Sequence, residues 1–144
     1  MIEKYFKDYT DKYHDMKKAL KRYIDAKQDF YSLTGVKIDD MPKGNGKAMG
    51  FDDLLINIEH LNNDYIIKYK KYEEERTRCK QDIDKLDDPI SKAIIEYAYL
   101  DFEDNKAMSI SLKEYHNKDY SLGYIKRLKL RAIEQFTRIV SKSN

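Results

Sequence analysis

A single cysteine, Cys79, stands in the whole chain of 144 residues. That excludes an internal disulfide and leaves no cysteine pair for a structural zinc site; such usage suits a reducing compartment. Proline occurs twice and glycine five times, too seldom for a sheet protein built on many tight turns. No apolar run approaches the roughly 18 residues that a membrane span needs. The opening "MIEKYFKDYTDKYHD" carries charge throughout and lacks the apolar core of a signal peptide. These absences predict a soluble, all-α, cytoplasmic protein that needs no membrane.

Charge is what the chain has in abundance. Charged residues make up 38% of it, yet the net charge is only +2, because the two signs are separated along the sequence. Residues 51–88 hold seven Lys/Arg against eleven Asp/Glu, whereas residues 121–144 hold six Lys/Arg against Glu134 alone. Such asymmetry is more informative than the total.

Apolar spacing supplies the architecture. Ile2, Phe6, Tyr9, Tyr13, Met16, Leu20, Tyr23 and Phe30 follow alternating steps of four and three, with Lys27 in the slot between the last two. Phe51, Leu55, Ile58, Asn62, Tyr65, Tyr69, Tyr72, Arg76, Cys79, Ile83 and Leu86 repeat that rhythm. Both series are heptad seams. Between them lies "TGVKIDDMPKGNGKAMG", residues 34–50, which reads as an exposed connector, with Gly35 as a C-terminal stop for the first helix. Two seams joined by a flexible loop predict a long N-terminal antiparallel helical hairpin, coiled-coil-like, over residues 1–86. Self-association of the same seams is the alternative. Tyr13, Leu20, Tyr65 and Tyr72 should be substantially buried and residues 40–50 mobile. Lys27, Asn62 and Arg76 make the seam weaker than a leucine zipper, and a homodimer would supply what the thin core lacks.

Residues 87–144 have a different layout. "KLDDP" ends the second arm, since the residue before Pro89 is pushed away from helical geometry, and Pro89 suits the first turn of a new helix over 88–102. "DFEDNKAMS" is a predicted turn, a short helix follows at 110–117, and "NKDYS" leads into a last helix capped by Ser121. This order is that of a helix-turn-helix. In the last helix Ile125, Leu128, Ala132, Phe136 and Ile139 form an inward stripe. Lys126, Arg127, Lys129 and Arg131 fall largely off it, in the first turns, where a recognition helix meets a DNA groove. Lys118 and Tyr120 precede them as candidate phosphate contacts, and Tyr124 faces outward near the helix start. A solubilising basic face is the simpler explanation of those cations; the helix-turn-helix context favours duplex DNA.

"SLGYIKRLKLRAIEQF" resembles the last helix of sigma-region-4-like domains through Ser121, Gly123, Ile125, Lys126, Arg131 and Ala132. The match is closer to phage late-transcription regulators of the ArpU/RinA/LtrC type, through Ser121, Ile125, Arg127, Leu128, Arg131, Ala132 and Glu134. "DMPKG" (40–44) and "KLDDP" resemble the layout of the same family, whereas its usual "SWEEIA" helix signature is missing before "NKDYS". The resemblance implies a DNA-binding domain over 87–144 and a sequence-specific regulator that activates phage late genes in a bacterial host. It further implies host RNA polymerase and inhibitory regulatory proteins as partners. A small terminase subunit, which joins a helix-turn-helix to coiled helices in a packaging ring, and a coiled-coil interaction protein without DNA binding are the rival readings.

Other chemistry is poorly supported. "GNGKAMG" would need Gly where Met41 stands and Ser or Thr where Ala48 stands to act as a phosphate loop. His60 with Asp64, and His14 beside Asp15, are too scattered for a metal site. No catalytic residue, cofactor or metal is predicted.

Overall fold

The computed structural model describes residues 2–37 and 45–143, with side chains described over 2–32 and 50–142. Every regular element among them is helical: α1 (Ile2–Tyr5), α2 (Lys7–Lys37), α3 (Asn45–Ile83), α4 (Pro89–Ile95), a π-helical turn (Glu96–Leu100), α5 (Asn105–His116) and α6 (Leu122–Ser143). The fold class is all-α. No helix among the described residues is long and apolar enough to cross a membrane.

The helices divide into two compact units, residues 11–73 and residues 1–10 with 74–144. The ends of the two heptad arms thus fall in the same unit as α4, α5 and α6.

In the unit of residues 11–73, Tyr13 meets Tyr72 (ring centroids 5.8 Å apart) and Phe30 meets Phe51 (5.2 Å). Numbers rise along one helix as they fall along the other, the order of antiparallel neighbours. Tyr13, Leu20, Tyr65 and Tyr72 are half-buried rather than buried. The reason is geometric: two helices make one layer of contact, so each seam side chain keeps a side open. Only Met16 and Ala19 are fully buried among this unit's described residues. Lys27, in its polar seam slot, sets its ammonium 5.4 Å from the Tyr23 ring. The connector is shorter than the sequence suggests. Residues 34–37 belong to α2 and 45–50 to α3, so the later part of the segment expected to be mobile, 40–50, is helical, and its earlier part lies outside the described residues, which omit 38–44. Gly35 does not stop α2, and no described glycine has positive φ, so the left-handed glycine cap is not used here.

The other unit has a dense core. α1 and α2 form a nearly continuous ladder, because Phe6 N–H donates to Ile2 (3.2 Å) and Thr10 N–H to Phe6 (2.9 Å). Phe6 stacks on Tyr99 (5.0 Å) and on Phe136 of α6 (5.5 Å), with Tyr5 edge-on to Phe6 and Phe136. Ile83, Ile94, Leu112, Ile125 and Ala132 are fully buried beside them. α4 begins as its sequence dictates: the Asp88 carboxylate accepts from Ile90 N–H (3.2 Å) and Ser91 Oγ (3.0 Å), with Pro89 in the first turn.

Two polar pairs tie this core together. The Tyr5 hydroxyl donates to Asp82, and burial with that bond pushes the Tyr5 ionisation far above its ordinary range. Tyr9, fully buried, donates to the Leu100 carbonyl (2.6 Å) and accepts from Arg76 (3.0 Å), which also bridges to Asp101 (3.0 Å). The seam's polar residue Arg76 therefore serves as a buried-tyrosine partner. Tyr9→Phe would leave the Leu100 carbonyl without that donor and should cost about 1–3 kcal/mol in a urea titration. Cys79 is buried, and burial pushes its thiol up to about 11, so it stays protonated and unreactive at neutral pH.

Beyond α4 the helix widens. Asp101 N–H donates five residues back to Glu96 (3.0 Å) and Glu103 N–H six back to Tyr97 (2.8 Å), with Phe102 left-handed at φ 56°. The predicted turn at 101–109 is shorter than expected. The Asp104 carboxylate accepts from Ala107 N–H (2.8 Å), so α5 starts at Asn105 rather than near residue 110. That cap fixes the helix start.

Candidate nucleic-acid interface

Local chemistry sets the entry to α6. α5 ends on Asn117, left-handed at φ 55°, and Lys118 N–H donates to the Leu112 carbonyl (3.1 Å), which turns the chain. Ser121 Oγ then accepts from Tyr124 N–H (3.2 Å), and its carbonyl accepts from Ile125 N–H (3.0 Å), a side-chain cap at the start of α6. α6 packs on both α4 and α5. Ile125, Ala132 and Phe136 are fully buried, with Leu128 and Ile139 half-buried, so the inward stripe lies where its spacing predicts.

The predicted site residues do not all share a face. Tyr120 is half-buried and lies edge-on to Tyr124 (4.9 Å). The Arg127 guanidinium sits over the Tyr124 ring at 5.5 Å, a contact worth about 0.5–1 kcal/mol when exposed. Arg131 follows one turn on. Tyr124, Arg127 and Arg131 are all exposed, as are Lys118 and Ser121 before them. Lys126 is exposed on the other flank of the helix, between Leu122 and Leu130 at steps of four. Lys129 turns toward the fold: it is half-buried, with its ammonium 5.9 Å from the Tyr99 ring. The reason was hidden from helical spacing alone, since Tyr99 is placed by the π-helical turn.

Two further cations share the side of α6 that carries Arg127 and Arg131. Arg138 and Lys142 continue the Arg127–Arg131 row, at steps of seven and four, and both are exposed. Their spacing is visible in the sequence, but they lie beyond the first turns, where a recognition helix meets the groove. Arg138 approaches Glu134 only to 3.9 Å, with both side chains about 70% exposed (71% and 72%); such a pair is readily screened. Among the described residues no carboxylate bridges Lys118, Lys126 or Arg131. The row from Arg127 to Lys142 runs about 22 Å at ~1.5 Å per residue. Four cations against the single carboxylate of Glu134 along one side of a helix, with a ring beneath one guanidinium, leave a net positive stripe that suits a polyanion such as a phosphate backbone.

Gly123, in the first turn of α6, has nothing within 4 Å of where a Cβ would stand and does not have positive φ. The fold itself does not require glycine there, and glycine in a helix costs about 1 kcal/mol relative to alanine. Gly123→Ala should raise the melting temperature by several degrees, about 4–8 °C per kcal/mol for a domain of this size. If a phosphate backbone packs against this turn, the same change should weaken duplex binding. Opposite movements in melting and in affinity are the expected result.

No group of three or more His, Cys, Asp or Glu among the described residues is placed to hold a metal ion. Compared with known proteins, the chain matches no protein-family model, no curated protein and no solved structure, so the interface rests on its own geometry.

Proposed function

We propose that this protein is a DNA-binding transcriptional regulator in which α5, the turn at 117–121 and α6 act as a helix-turn-helix. The single observation that carries this is the exposed row Arg127, Arg131, Arg138 and Lys142, preceded by Lys118 and the paired rings Tyr120 and Tyr124. The first turns of α6 would enter the major groove and its far end would track the backbone, as the last helix of a homeodomain does. The unit of residues 11–73 would serve oligomerisation or partner binding. The resemblance of the α6 sequence to phage late-transcription regulators supports activation of late genes, with host RNA polymerase as the protein contact.

Fluorescence anisotropy with labelled duplex DNA, repeated over a range of salt, tests this. Five cations on phosphates predict a log-log salt slope of about −4 to −5 per bound copy. A flat salt dependence, or no binding at low salt, would remove the proposal.

A second reading has an observation of its own. Leu122 and Leu130 are 52% and 66% exposed on the flank that carries Lys126, away from the row Arg127 to Lys142, which suits a protein partner rather than DNA. Substituting both with Ser should leave duplex affinity intact if DNA is the ligand, and abolish capture of an acidic protein partner if it is not.

A further inference from the structure

The unit of residues 11–73 carries a second apolar row beside its packed seam, and Leu55 and Tyr69, which heptad spacing puts in that seam, stand exposed in this row instead. Leu55, Ile66 and Tyr69 on α3 are 46%, 40% and 38% exposed, and Ile24 and Tyr31 on α2 are 41% and 62% exposed. Four of these five follow directly on a half-buried inward residue: Tyr23–Ile24, Phe30–Tyr31, Leu54–Leu55 and Tyr65–Ile66. A one-residue step turns the side chain about 100° around a helix of 3.6 residues per turn. Antiparallel helices turn in opposite senses when viewed from one end. The same step on both therefore brings all four to one side of the pair. That side is an apolar face, interrupted by Gln28 on α2 and Asn62 on α3, over a single-layer core.

We infer that this face is covered by a second copy of the chain, the two helix pairs forming an antiparallel four-helix bundle about a two-fold axis. Its dimensions suit that role. The face extends about 25 Å along the helices and about 20 Å across two helix diameters, close to 1,000 Å² buried in total across the two copies, the lower bound for a specific interface. Charge selects the partner and the pairing. Exposed Lys17 and Lys21 flank the face on α2, Lys21 in an exposed pair with Asp25 (3.3 Å), while exposed Glu59 and Glu73 flank it on α3, Glu73 accepting from the Tyr69 hydroxyl (3.0 Å). A two-fold axis along the bundle sets α2 of one copy on α3 of the other and brings opposite charges together. Setting α2 on α2 would oppose lysine to lysine. The face is thus complementary to itself, as an isologous interface must be, and four helices close the core that two leave half open. This inference is independent of the DNA reading, since it uses no residue of α6.

Sedimentation velocity of the full chain over a micromolar concentration series tests it. The expected result is a dimer that Leu55→Glu with Ile66→Glu weakens at least 100-fold, with the helical circular-dichroism signal retained. Ile56→Glu with Ile67→Glu places the same chemistry on the outward side of α3 and should leave the dimer intact. Lys17→Glu with Lys21→Glu should weaken the dimer, and adding Glu59→Lys with Glu73→Lys should restore it, a rescue that a merely unfolded variant would not show. A monomer throughout the series, a dimer indifferent to Leu55 and Ile66, or failure of the charge exchange to rescue would overturn the inference.

Discussion

Replacing Arg127 and Arg131 together by alanine is expected to lower affinity for duplex DNA about 100-fold while leaving the melting temperature unchanged. Both side chains are exposed, four residues apart on one side of α6, and neither contributes to the core beneath. A base-reading or phosphate-binding arginine is worth about 1–3 kcal/mol, and each 1.4 kcal/mol is a factor of ten. Exposed charges contribute only about 0–1 kcal/mol to folding. The salt slope should become shallower by about two, one unit for each phosphate contact removed. Lys126→Ala, on the other flank, should change binding much less. Lys129→Ala should act on stability first, because its ammonium lies over the Tyr99 ring inside the fold. Anisotropy titrations beside thermal melts separate these outcomes. Equal losses from all four positions would mean that diffuse charge, not this row, carries the interaction.

Phe136→Ala is expected to destabilise the unit that holds α4, α5 and α6 by about 3–5 kcal/mol. The ring is fully buried, stacked on Phe6 at 5.5 Å and edge-on to Tyr5 at 5.1 Å. Its removal opens a cavity between α1 and α6 that rigid aromatic neighbours cannot fill. Domains hold only about 5–15 kcal/mol in total, so the variant should be partly unfolded at physiological temperature. Ile125→Ala should follow the same pattern at about 2–5 kcal/mol, loosening the domain before any direct loss of binding. Urea titrations followed by circular dichroism would show a midpoint shift; an unchanged midpoint for Phe136→Ala would contradict the packing described here.

Which features the sequence disclosed depends on how local their causes are. The inward stripe of α6 follows from spacing alone, and Ile125, Ala132 and Phe136 are all buried. The cap at Ser121 rests on one side chain and an amide three residues away, so it was legible too; Asp88, which caps α4 through Ile90 N–H, was not singled out beside Pro89. The start of α5 was misjudged because "DFEDNKAMS" has turn-forming composition throughout, yet Asp104 alone decides where the helix begins. The turn of Lys129 toward the fold was not legible for a different reason: its place depends on Tyr99, thirty residues earlier and positioned by a π-helical turn that no periodicity announces. The same holds for Tyr9 and Arg76. Heptad spacing made them seam residues, but their partners, the Leu100 carbonyl and Asp101, belong to the far end of that π-helical turn.

The central claim is that α6 meets duplex DNA along one side. Backbone and arginine side-chain NMR spectra of the labelled full chain, titrated with duplex DNA, test it residue by residue. The expected perturbations lie at Lys118, Ser121, Gly123, Tyr124, Arg127 and Arg131, extending to Arg138 and Lys142, with Leu55 and Ile66 unmoved. Perturbations centred on α3, or spectra that do not change with added duplex, would contradict the account.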